Sequence, residues 1–386
     1  MLNIFGSQSS RPDWRKLLQA LKPVIGGVSA DEWGGPEDVE GALDRVLRTL
    51  EKDVKAIGKC DFIFSTHQKA GGQTEELAAY LRSWYVMGQA PSLVSLVVAA
   101  CEEFDIASPD YVQILLMAAV LGDVENDLPY HNNAHFKKVL LQLIRLISVH
   151  NSIYGGTVRA LSKEQIALLL IGGCIHDLGH DGLGNTVKGV FYSGRLERQS
   201  FDFAVPYLRA AGAGEIVLEA LKTIILTTDV TPLGNVTNPM HQMKAAYRFH
   251  FLGENKQYST LNLSDDWAML EDDAMLTLMA CLLQEADIAT SAGVDYAVTQ
   301  YETCILMEEI GGGSARPSHV LDFLDKVCQR RFLSDAGQKL FAANMARIYA
   351  LAEEAERAGD EAFPTPQHTD FILGAGSEEG RSKTIN

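Results

Sequence analysis

Tyr130-His131-Asn132-Asn133-Ala134-His135 and His176-Asp177-Leu178-Gly179-His180-Asp181-Gly182-Leu183-Gly184-Asn185 are the stretches on which the reading of this chain turns. Four of its ten histidines stand in them as two i, i+4 pairs. On a helix that spacing places both rings of a pair on one face, about one turn apart, where they can converge on a shared centre. The segment 166–175 is apolar and leads straight into His176-Asp177, so those polar groups are expected inside the protein. Buried ionisable groups in a cluster are usually functional.

Working outward, helical periodicity prevails, as in 14–24, 39–57, 74–86, 112–121 and 136–149, and strand-like alternation is scarce. Helices joined by Gly, Pro, Asn and Asp junctions predict an all-α protein without internal repeats. The expected division is an N-terminal helical segment 1–89, serving as packing support or as a regulatory or dimerising element, a compact catalytic domain 90–360, and a fraying tail 361–386.

With 386 residues and 47% apolar content the chain can bury a large core. A net charge of −17 argues against a general nucleic-acid binder, and an anionic substrate would need metal ions to draw it in. Six scattered cysteines without a CxxC pair suggest neither a zinc ribbon nor a disulfide framework, and fit a reducing compartment. The apolar runs 92–100 and 166–175 are too short to span a bilayer, and 1–27 makes a poor signal peptide, so a cytoplasmic protein is expected.

The residue types fit a binuclear phosphohydrolase. Two divalent ions, roughly 3.5–4 Å apart, share a carboxylate, while imidazoles complete the more tightly bound ion. His176 would ligate one ion, Asp177 would bridge to the second, and His135 would supply another imidazole. Asp287, after the apolar stretch 275–283, is the best further carboxylate, because its burial would be costly without a cation. A single helical histidine is more often a hydrogen-bonded core residue than a ligand; the ordered set is what changes the balance.

Tyr-His-Asn-Asn-x-His followed by His-Asp-x-x-His-x-Gly-x-x-Asn resembles the signature of the class I 3′,5′-cyclic-nucleotide phosphodiesterases, a branch of the HD-type metallohydrolases. The likeness spans about 102–350. It implies an all-helical catalytic domain with two divalent metals, zinc and magnesium (or manganese), at the base of a pocket. It further implies His135, His176, Asp177 and Asp287 as metal ligands and His131 as the general acid that protonates the departing 3′ oxygen. By the same likeness His180 lies near the bridging hydroxide, Glu197 holds waters on the second metal, and Tyr130, Thr228 and Asp229 line the site. At the base-binding end, Leu306 in Leu306-Met307-Glu308-Glu309 resembles one jaw of an apolar clamp. In Gln329-Arg330-Arg331-Phe332 the likeness implies Gln329 bonding the purine and Phe332 stacking on it.

Two departures stand out. The family's Leu-Glu-x-His-His is Leu196-Glu197-Arg198-Gln199-Ser200 here, which removes two histidines near the second metal, and the loop from Glu309 to Gln329 is short and contains Gly311-Gly312-Gly313. The expected reaction is in-line attack of a metal-bridging hydroxide on a 3′,5′-cyclic nucleotide such as cyclic AMP or cyclic GMP, giving a 5′-monophosphate, with an acidic neighbour keeping His131 charged. Competing readings are another HD-type phosphohydrolase, its pocket reshaped by 230–260, and a non-catalytic cyclic-nucleotide-binding module. The sequence leaves adenine against guanine open, because an amide side chain donates or accepts according to its rotation. A homodimer is also left open.

Overall fold

The computed structural model describes residues 12–29, 35–66, 72–88, 90–254 and 263–364, so most of the 361–386 tail and the end of the 230–260 segment lie outside the described residues. The fold is all-α, as expected. Each of the five periodic stretches lies in a helix, the clearest being Pro109–Gly122 and Asn133–Tyr154. Among the described residues the strands amount to a hairpin of Thr186–Val187 against Val190–Phe191, antiparallel, with Thr186 opposite Phe191. No helix among them is long and apolar enough to cross a membrane.

Three helices form the centre: Asn133–Tyr154, Lys163–Ile175 and Ala274–Gly293. Lys163–Ile175 is buried on nearly every side, as a helix apolar all round should be. Ser162 and Gln165 close a capping box at its start. Near its end, Gly172-Gly173 admits the neighbouring helices: a Cβ on Gly173 would sit 3.0 Å from Leu143 Cδ2, and one on Gly172 3.3 Å from Leu283 Cδ2. This close packing falls one turn before His176 and fixes the depth at which the His-Asp pair emerges.

Packing crosses residue 89. The helices Trp14–Ile25 and Gly35–Ile57 contribute Leu18, Leu21, Ile25, Val39 and Leu43 to the same core as the histidine helices. From Gly72–Met87, Arg82 pairs with Asp295 at 2.5 Å, and the Tyr85 hydroxyl donates to Glu302, which holds buried Lys138 at 2.7 Å.

The helix Ala274–Gly293 continues a full ten residues beyond the apolar stretch that ends at Leu283. Within that extension Glu285 finds buried partners. Glu285 accepts from Ser334 N at 2.9 Å, and from Leu333 N and the Ser334 hydroxyl. Burial nevertheless pushes its carboxyl up to about 7 from the ordinary 4.5, against those hydrogen bonds and the nearby Lys244. A raised folded-state value means stability that is complete below 4.5 and is lost as pH rises through 7. Glu285→Gln removes this titration. In urea unfolding, wild type is expected to lose about 2–3 kcal/mol more than the variant between about pH 5 and pH 8. Parallel curves would show that Glu285 is ionised throughout.

Candidate active site

The motif's asparagines build its frame. Asn132 caps the helix Asn133–Tyr154, accepting from Ala134 N at 2.9 Å and His135 N at 3.2 Å, while its amide donates to Leu128 O and Pro129 O. Asn133 ties the same turn to Gly122 O and Val124 O, at 2.8 and 2.7 Å. His135 is thereby fixed in the first turn of the helix. His176 caps the end of Lys163–Ile175, with Asp177 next, and Asp287 projects from Ala274–Gly293.

These four residues converge. His135 Nε2 lies 3.2 Å from Asp177 Oδ2 and 3.2 Å from Asp287 Oδ1, and His176 Nε2 lies 3.1 and 3.7 Å from the same oxygens. One ligand atom from each lies within 4.8 Å of all the others. Both Nε2 atoms are buried and make no hydrogen bond, so they face the carboxylates without bonding them. Burial alone would lower both imidazoles, yet Asp177 and Asp287 raise His135 and drive His176 up to about 10. The carboxylates, opposed by their own burial, are held down in turn, Asp287 to about 2. Two carboxylates that draw this much positive charge, with orphaned imidazole nitrogens aimed at the same point, fit a divalent cation, which would bind the imidazoles in their neutral form.

A second group, His131, His180 and Glu309, adjoins the first. The His131 and His180 rings stack at 3.7 Å with an 18° tilt. Glu309 accepts from Tyr130 N at 2.8 Å and His131 N at 2.9 Å, and its other oxygen lies 2.5 Å from His131 Nδ1. Burial disfavours the Glu309 carboxylate, but these bonds outweigh it and hold the group at about 2. Burial and the charge of His131 push His180 down to about 4. Its Nδ1 accepts from Gly182 N at 3.1 Å, so the neutral ring carries its proton on Nε2. The Tyr130 ring packs 4.7 Å from His131 and 4.9 Å from His135.

A third group is acidic. Asn185 donates to Glu197 Oε2 at 3.3 Å and to Thr231 Oγ1 at 3.1 Å, and Asp229 accepts from Gly194 N at 2.8 Å and from Thr231 N at 2.7 Å. Burial, with Asp229 and Asp177 adding to it, raises Glu197 well above the carboxylate range, and burial raises Asp229 too. Asp177 thus acts electrostatically on both the histidine cluster and the acidic one. Thr228 is buried and turns its hydroxyl back to Ile225 O at 2.8 Å.

The proposed base-binding residues lie apart in character. Leu306 is half-buried, one turn before Glu309 on the helix Tyr296–Glu309. Gln329 and Phe332 occupy a turn between the helices Pro317–Lys326 and Asp335–Arg357, with Gln329 and Arg330 both left-handed at φ 55° and 54°. Arg248 donates to Gln329 Oε1 at 2.6 Å, which fixes the amide with its oxygen toward the guanidinium. Phe332 is 1% exposed, its ring 5.0 Å from that of Phe341.

The sequence reading missed a role for Glu309. Its signal was position: it stands one turn beyond Leu306 in the quoted acidic stretch. It also missed the pairing of Asp181 with Arg195 at 2.8 Å.

Residues 130–312 match the family described as 3′5′-cyclic nucleotide phosphodiesterase. The match includes every residue of the three groups and stops before Gln329. That match supports a class I cyclic-nucleotide phosphodiesterase domain over residues 130–312. Among solved structures, that of LmjPDEB1 of Leishmania in complex with IBMX is similar at a TM-score of 0.43 and 15% identity, covering 77% of this chain and 91% of that one. No curated protein sequence matches the chain.

Proposed function

We propose that this chain hydrolyses 3′,5′-cyclic nucleotides to 5′-monophosphates, using two divalent cations and a histidine acid. The carrying observation is the convergence of His135, His176, Asp177 and Asp287 inside the family-matched segment. Mixed imidazole and carboxylate donors suit zinc at this centre, and the oxygen-rich side toward Glu197 suits magnesium or manganese. When bound, such ions supply Lewis-acid polarisation of a phosphate and a water nucleophile usable at neutral pH.

The protein's own residues do the rest. As water adds to phosphorus and the bond to the 3′ oxygen breaks, that oxygen needs a proton, and His131 is the donor. Glu309 occupies its Nδ1, which leaves Nε2 as the transfer atom. His180 offers its Nε2–H to the reacting oxygens. Tyr130 walls the histidines, Thr228 and Asp229 support the acidic side, and Leu306 provides apolar surface for the base. Gln329, held by Arg248, would meet a base with its NH₂ as a donor. Residues 90–360 form the catalytic domain in this reading, and 1–89 buttress it.

Cyclic AMP and cyclic GMP are the first substrates to test. Turnover is expected to disappear after chelation and to return with added Zn²⁺ plus Mg²⁺ or Mn²⁺, with release of 5′-AMP or 5′-GMP. A metal-loaded protein that leaves both nucleotides intact would overturn the reading.

A further inference from the structure

Arg195, at the start of the helix Arg195–Ala210, spends its donors on the turn 181–184 and on Gln199 of its own helix. Its Nη1 and Nη2 grip the two oxygens of Asp181 at 2.8 Å each, Nη2 and Nε donate to Gly184 O at 2.6 and 3.1 Å, and Nη1 reaches Gln199 Oε1 at 3.5 Å. No N–H is left for a substrate phosphate, so Arg195 does not act on the reacting atoms directly. The gripped turn contains Gly182 and Gly184 at φ +73° and +67°, and glycines in this region cost the most conformational freedom to order.

The same helix start ties the turn at three more points. Gln199 donates to Gly179 O at 2.7 Å, Leu196 N donates to Asn185 Oδ1 at 3.0 Å, and Asn185 in turn donates to Glu197. The clamp therefore spans a loop with His180 near one end and Asn185 at the other, and Asn185 holds the buried carboxyl of Glu197. Gln199 and Ser200 stand where the family's pattern has two histidines; Ser200 only bonds back to Leu196 O, while Gln199 joins the clamp.

We propose that Arg195 is a positioning residue: by clamping Asp181 and Gly184 it sets His180 and, through Asn185, Glu197, and so fixes the affinity of the second, weaker cation site. The proposal rests on the two-cation reading above. An ordinary bidentate pair at this partly exposed position would do little, since exposed ion pairs contribute little to stability. That contrast supplies the test, because residues that orient metal-site groups typically change metal affinity by about 10- to 100-fold.

Mn²⁺ titrated into the metal-free full chain and followed by electron paramagnetic resonance reads the two sites without turnover. Arg195→Ala is expected to weaken the weaker site by about 10- to 100-fold, with the tighter site and Tm nearly unchanged. The Mn²⁺ needed for half-maximal hydrolysis should rise in step, and kcat at saturating Mn²⁺ should change far less. Arg195→Lys should fall between, and the exchanged pair Asp181→Arg with Arg195→Asp should recover part of the loss. Wild-type Mn²⁺ affinity in Arg195→Ala overturns the proposal. If that variant does not fold, Asp181→Asn decides, with unchanged affinity again overturning it. A wild-type chain that binds one ion only would instead overturn the two-cation reading itself.

Discussion

Asp177→Ala is expected to lower hydrolysis of cyclic AMP and cyclic GMP by about 10³-fold or more, the largest loss of any single substitution in the site. Its Oδ2 lies 3.2 Å from His135 Nε2 and 3.1 Å from His176 Nε2, and its charge also raises Glu197. Its charge acts on both the histidine cluster and the acidic cluster. In the proposed two-cation site, its removal would take a ligand from the tighter cation and a shared carboxylate from the weaker one. Metal content, measured beside 5′-monophosphate release, should fall together with activity. Asp177→Asn keeps the volume and loses the charge, and should fail almost as completely, because a neutral amide offers one acceptor oxygen where a shared carboxylate offers two. A folded Asp177→Ala protein that kept a tenth of wild-type turnover would remove Asp177 from the proposed mechanism.

Much of this arrangement was legible because its signals are local. The i, i+4 pairs, the apolar run into His176 and the periodic helices depend on neighbours in sequence. The histidines outside the site bear out the caution about single residues: His150 is buried and bonds Arg159 O, and His241 bonds the capping Asn238. What escaped was tertiary. His131 and Glu309 meet across 178 residues, and no spacing rule encodes that contact. The apolar stretch 275–283 stops at Gln284, and nothing local in the sequence marks Glu285 as enclosed. In the fold Glu285 is enclosed by Leu333 and Ser334, and the helix runs on to Gly293. Gln329 and Phe332 have the spacing of one helix turn, yet the next helix starts only after Ser334, whose hydroxyl caps it through Gly337 N at 2.9 Å. Two consecutive left-handed residues, neither of them glycine, gave no sequence warning of that turn.

His131→Ala is expected to lower kcat on cyclic AMP by about 10²- to 10⁴-fold, the range for losing a general acid. The decisive comparison is with a p-nitrophenyl phosphodiester. Its phenolate leaves without being protonated, so the same variant should lose little on that substrate, while Asp177→Ala loses on both. Glu309→Gln should cost less than His131→Ala, because the amide keeps a contact to the ring and the backbone N–H groups but gives up the charge. The Glu309 carboxyl, held at about 2, is ionised throughout the neutral range, and its support for His131 should fade only as the pH falls toward that value. If Glu309 acts through His131, the double variant should be no worse than His131→Ala alone, since residues that work as a unit give non-additive losses. Additive losses would separate the two residues. Equal losses for His131→Ala on both substrates would make His131 a group that places the phosphate, with the proton for the 3′ oxygen coming from elsewhere.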